Sequence, residues 1–237
     1  MKKSIYEKFK DFKNRYGLTN AKIAEIANEY ADTCLDLART HFTEKYEISE
    51  YVFYKARDYA IVFCLVDNKT YKKIKEKSST NYRNSNDKNS AAASIAHFDE
   101  LLSQRNEFLN DFSEKEILDI GQKYIDGVSK KNIALAYGTG EYGISNLLKK
   151  GIVNLIFDSN TVKQIHIIVG HSLDNIIQQR ESNKKVLLKC IENKITFLKA
   201  QIACYNLYST VFKTESLESL QQDLSDAINM YNKALQL

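Results

Sequence analysis

Two stretches of this chain carry residue types that catalysis uses. Gly138-Thr139-Gly140-Glu141-Tyr142-Gly143 has the glycine spacing with which dinucleotide sites and kinase loops wrap phosphate. That chemistry needs a β-strand directly before the glycines, with a βαβ unit or a strand lysine beyond. Here the glycines follow a helical run, which argues against a nucleotide site. Val169-Gly170-His171-Ser172-Leu173-Asp174 approaches the elbow that exposes a nucleophilic serine, but Asp174 stands where that turn needs a second Gly. Gln164 to Val169 has the length of a short strand, yet no alternation of strands and helices supports a hydrolase sheet. Gly170 reads instead as a helix end and Ser172 as the N-cap of the next helix. The histidines fall into no HxxxH or HExxH pair, and Cys34, Cys64, Cys190 and Cys204 have no metal-ligand spacing, so they read as buried or free thiols. Neither an enzyme, a metal nor a cofactor is expected.

Contact with a polyanion is the chemistry that the same region does fit. In Lys130 to Lys149 (KKNIALAYGTGEYGISNLLK), Ile133 and Ala134 share a helical face with Tyr137 one turn on. Gly138 falls where the chain must turn sharply, and Ile144 and Leu147 lie one turn apart on a second helix. This pattern resembles helix-turn-helix DNA-binding proteins in general, most closely those with sigma-factor-like C-terminal domains, over about residues 113 to 157. The resemblance implies a second helix that enters a DNA major groove. Its outward positions are Tyr142, Ser145, Asn146 and Lys149. Asn pairs bidentately with adenine, and Ser and Tyr reach a base edge or a phosphate. Lys149, Lys150, Lys130 and Lys131 are placed to neutralise phosphates, whereas Glu141 opposes the backbone unless it accepts from a cytosine amine.

Composition sets the elements that must hold these residues. The chain has 237 residues, 43% of them hydrophobic, with no Pro, no Trp and only 8 Gly. Few helix breakers and many helix formers predict an all-α protein with a core. The net charge of +4 permits a polyanion partner without requiring one. The longest apolar run, Ala60 to Val66, is too short to cross a bilayer, and the basic N-terminus lacks an apolar signal segment, so a cytoplasmic protein is expected.

The order of elements follows from pattern breaks. Residues 76–93 are rich in Ser, Asn and Lys and read as a polar linker after an N-terminal helical domain, 1–75. The helix-turn-helix domain is expected at 94–170, with a helix from near Ser94, then a capping box at Ser113 and Glu116 opening the next helix, and Ser129 capping the motif's first helix. The N-terminal domain reads as a second helix-turn-helix or as an ordinary helical hairpin. Phe42 stands where Ile133 does and Phe53 where Ile144 does, with Tyr46 and Ala56 beside them, but Glu47 replaces the turn glycine. In the first of these readings the DNA-facing residues are Ser49, Tyr51, Tyr54, Lys55 and Arg57. A helix over Asn20 to Ala38, apolar through Ile23, Ile26, Ala27, Tyr30, Cys34, Leu35 and Ala38, packs beneath. Lys69, Lys72, Lys73 and Lys75 bind phosphate or form a solvated helix end. In 171–237, the stripes Leu188-Ile191-Ile195-Leu198-Ile202-Tyr205 and Leu217-Leu220-Leu224-Ala227-Tyr231-Ala234 predict an antiparallel hairpin, with a break at Ser209 to Ser216 and Thr214 as N-cap beside Glu215. It packs on the preceding domain or on a second copy.

Two functions are therefore expected. One is a sequence-specific transcriptional regulator of mobile-element or phage type, binding double-stranded DNA as a homodimer through its C-terminal helices. The other is an all-α protein-interaction adaptor that does not bind DNA.

Overall fold

The computed structural model describes residues 5–33, 39–83, 88–208 and 217–237. Cys34, Leu35, Ala38, Thr214, Glu215 and the break at 209–216 lie outside the described residues. The fold is all-α, with no strand among the described residues. The helices are α1 (Ile5–Tyr16), α2 (Asn20–Asp32), α3 (Arg39–Tyr46), α4 (Glu50–Val62), α5 (Asn68–Arg83), α6 (Lys88–Asn110), α7 (Glu114–Ile125), α8 (Lys130–Ala136), α9 (Glu141–Val153), α10 (Ser159–Val169), α11 (Asp174–Tyr208) and α12 (Leu217–Gln236). Among the described residues, no helix is long and apolar enough to cross a membrane.

The chain forms two compact units. Met1–Glu116 with Gly127–Leu147 make the first, and Ile117–Asp126 with Leu148–Leu237 the second, a division that cuts across the expected boundaries. The linker expected at 76–93 is helical wherever it is described. Lys77 is buried and its ammonium donates to the carbonyl oxygens of Tyr30 (2.7 Å) and Thr33 (2.9 Å), so its burial is offset by hydrogen bonds.

The first unit packs α2 on α4 and α5, and α6 on α4 and α5. Its core is aromatic: Phe9 stacks on Phe63 at 4.1 Å, and Phe63 meets Phe108 edge-on at 4.8 Å. In the second unit α11 and α12 form the expected hairpin, with Leu198, Leu220 and Ala227 buried in its seam. The two stripes thus cover each other. Arg180 is buried there, donating to the carbonyl oxygens of Ile152 (3.0 Å) and Phe157 (2.8 Å), and to that of Leu237. Gly170 ends α10 at φ 77 as expected, but Ser172 sits inside a short 3-10 turn, His171–Leu173, and caps nothing.

The fold repeats itself. α4 starts at Glu50 and α9 at Glu141, an offset of 91, and the same offset relates the starts of α3 and α8 and of α5 and α10. Tyr46, Glu50, Tyr51, Ile61, Val62, Asp67, Thr70 and Ile74 recur identically as Tyr137, Glu141, Tyr142, Ile152, Val153, Asp158, Thr161 and Ile165. The backbone repeats with them. Glu47 and Gly138 both take positive φ (52 and 66), as do Cys64 and Leu155 (55 and 60). At each of the four, the following amide closes the preceding helix by bonding back to its last turn: Ile48 to Thr43 (3.1 Å), Thr139 to Ala134 (3.0 Å), Leu65 to Ala60 (2.9 Å) and Ile156 to Gly151 (3.0 Å). The caps match too, since Asp67 accepts from the Thr70 amide and Asp158 from the Thr161 amide, both at 2.7 Å. Both carboxyls are held below their ordinary range by that backbone hydrogen bond.

The repeat extends upstream, where Ile23, Ile26, Ala27 and Tyr30 of α2 correspond to Ile117, Ile120, Gly121 and Tyr124 of α7. Side-chain volume is exchanged between the copies. In the second, the Phe157 ring lies so close to Gly121 and Gly151 that an added Cβ would stand 2.5 and 2.3 Å from it. The first copy has Ala27, Ala60 and Val66 at those places, all buried.

Candidate nucleic-acid interface

The predicted turn forms as expected. Ser129 caps α8 by accepting from the Asn132 amide (3.3 Å), and the box at α7 closes both ways, Glu116 N to Ser113 Oγ (3.3 Å) and Ser113 N to Glu116 Oε2 (2.8 Å). Each glycine of the GxGxxG run has a structural cause. Gly138 supplies the left-handed residue of the turn. Gly140 approaches the chain so closely that a Cβ would stand 2.2 Å from the Cys64 carbonyl oxygen, and one on Gly143 would meet the Thr139 hydroxyl at 2.1 Å. Thr139 is buried and donates its hydroxyl to the Phe63 carbonyl (2.9 Å), which also accepts from the Gly140 amide (3.3 Å). The start of α9 is therefore seated on the turn that follows α4.

Within α9 only Glu141 and Lys149 are exposed. Tyr142 is half-buried, with the Arg105 guanidinium 5.8 Å from its ring. Ser145 donates to the Glu141 carbonyl of its own helix (3.1 Å), and Asn146 and Lys150 are half-buried. On α8, Lys131 is exposed and Lys130 half-buried.

In the first copy the turn between α3 and α4 has the same backbone form, with Glu47 in the left-handed conformation that Gly138 takes in the second. Phe42, Tyr46, Phe53 and Ala56 are its buried anchors. Ser49 is committed to capping α4, accepting from the Val52 amide (3.3 Å). Tyr51 is 60% exposed, Lys55 is exposed and Tyr54 is half-buried. Arg57, expected to face DNA, is instead 6% exposed. It pairs with Asp58 (2.8 Å) and lies against the rings of Tyr54 (5.0 Å), Phe98 (5.2 Å) and Tyr30 (5.9 Å). Burial pushes the Asp58 carboxyl up, but the His97 hydrogen bond and the Arg57 charge outweigh it and hold the group below its ordinary value. In the lysine cluster, Lys73 pairs with Asp32 and Lys75 with Asp99, both at 2.6 Å, while Lys69 and Lys72 are exposed.

Sequence spacing gave no sign of two further features. One is a groove of about 270 Å³ between α1 and α4, where Lys8, Arg15 and Lys55 meet Tyr16 and Tyr51 beside Asp11. The other gathers His166 and His171 on Asp174, at 2.9 and 3.2 Å. The residues lie five and eight apart, outside any standard metal motif, and no group among the described residues is arranged to hold a metal ion. Cys64 is buried and its thiol is pushed up to about 12 by that burial, while Cys190 and Cys204 are exposed free thiols. Compared with protein-family models, curated proteins and solved structures, the chain matches none of them.

Proposed function

We propose that the chain is a sequence-specific DNA-binding protein, a transcriptional regulator that docks helix-turn-helix elements in the major groove. The observation that carries this reading is the repeat. The same helix, left-handed turn and second helix occur twice at one offset, from Glu50–Val62 to Glu141–Val153. Readers of duplex DNA of this class use paired recognition helices, one for each half-site. A chain with two such units holds both in one polypeptide. A homodimer through the C-terminal helices would add a further pair, and a cytoplasmic location accords with this role. Solvent-reachable side chains for the contact are Tyr51 and Lys55 in the first copy and Lys131, Lys149 and the half-exposed Asn146 in the second.

One observation favours the adaptor reading instead, namely the small exposed fraction of α9. Salt separates the two. A DNA binder retards a duplex in a mobility-shift assay and loses affinity steeply as salt rises, because each phosphate contact releases counterions. Absence of any shift at low salt would leave the adaptor.

A further inference from the structure

We infer, resting on the DNA-binding reading, that the first copy makes the principal contact with the duplex, through the groove between α1 and α4. α9, whose start is seated on the turn after α4, then makes the lesser contact. A recognition helix reads bases with residues near its N-terminus, so that end has to be open. In α4 it is open: Tyr51 is 60% exposed and Lys55, one turn on, is exposed as well. Both line the same groove as Lys8 and Arg15 of α1, where three cations surround Asp11, and Lys8 and Lys55 border on their other side a groove with Asp58, Glu100 and Glu107. Lys8, Arg15 and Lys55 are exposed and enter no ion pair among the described residues. This charge balance suits a phosphate backbone running along the groove while α4 lies in the adjoining major groove. Glu50, exposed at the first position of α4, is the acidic neighbour, and a cytosine amine is the base-edge group it can accept from.

The matched positions of α9 do the opposite. Tyr142, the counterpart of Tyr51, lies beneath Arg105. Gly140, the counterpart of Ser49, is pressed on the Cys64 carbonyl, and Asn146 replaces the charge of Lys55. Thr139 and Gly140 hold this end on Phe63 by hydrogen bonds.

The test is fluorescence anisotropy of the full chain with a labelled random-sequence DNA duplex across a salt series. A triple variant, Lys8→Gln with Arg15→Gln and Lys55→Gln, changes exposed side chains only, and its helicity by circular dichroism should equal that of the parent. Its slope of log affinity against log salt should become shallower by about 2.7, near 0.9 for each lost phosphate contact, with a loss of affinity of about tenfold or more at low salt. Asn146→Ala with Lys149→Ala should change affinity by no more than about threefold, far less than the triple variant. The reverse ranking, in a parent that binds, overturns this assignment and leaves the DNA reading standing. A parent that fails to bind the duplex at low salt overturns the DNA reading, and this assignment with it.

Discussion

Thr139 and Phe63 are joined by a buried hydrogen bond of 2.9 Å, side-chain hydroxyl to main-chain carbonyl, although 76 positions separate them in the chain. Phe63 is the residue at which α4 ends, and Thr139 follows the left-handed glycine of the second turn. The turn of one copy is thus anchored on the helix end of the other.

Removing that anchor has a defined cost. Thr139→Val keeps the shape and deletes the donor, while the Phe63 carbonyl still accepts from Gly140 (3.3 Å). A loss of about 1 kcal/mol is expected in urea unfolding. Gly140→Ala should cost more, about 3 kcal/mol, because the atom its Cβ would meet is main chain and cannot swing aside. Equal stability of the two variants would show that the turn is not seated as described.

The Arg57–Asp58 pair predicts a pH dependence. The folded Asp58 carboxyl lies below its ordinary value of 3.8, so its stabilisation is complete above that pH and is lost as pH falls through the lower folded value. Asp58→Asn removes this component and leaves Arg57 buried without a counter-charge. It should destabilise at neutral pH by about 3 kcal/mol, a deficit that shrinks on acidification below 3.8. Thermal melts of parent and variant from neutral to acidic pH measure the difference, and a pH-independent gap would refute the linkage.

The Phe157 exchange is open to a double-mutant cycle. Gly151→Ala alone should cost about 2 kcal/mol through overpacking on the ring. Phe157→Val alone should cost a similar amount through the cavity it leaves, about 2 kcal/mol. Combined, they recreate the Ala60 and Val66 pairing of the first copy, so the double variant should be more stable than additivity allows. Strict additivity would mean that the two positions do not share the space.

Three local signals were read correctly because their causes are local, although the cap expected at Ser172 did not form. Ser113 with Glu116, Ser129 and Gly138 act within one turn of their own helices, and each occupies the expected geometry. The alternation along α11 and α12 was equally legible, since helix pairing needs only the spacing of its apolar stripes. Exposure was harder to read. Arg57 has the sequence position of a surface cation, yet Tyr30 and Phe98, both more than twenty residues away, close over it. Tyr142 is covered by Arg105 for the same reason. Residues 76–93 misled in the other direction, because composition does not reveal that the Tyr30 and Thr33 carbonyls await Lys77. The repeat had a signal from the start in the equal spacing of Phe42 to Ile133 and Phe53 to Ile144, but only the matched left-handed residues, Glu47 among them, extend it to the backbone.

The register of the two copies also records where the chain tolerated a change of length. Ile23 to Ile117 is a step of 94, whereas every matched pair from Arg39 onward keeps 91, so the first copy holds extra residues between α2 and α3 and nowhere later. The approach to the motif differs in length between the copies, whereas the hinge inside it does not. A peptide tag or reporter placed between Thr33 and Arg39 falls where the copies differ in length, while one placed at Ile48 or Thr139 would break the bonds that close the turns.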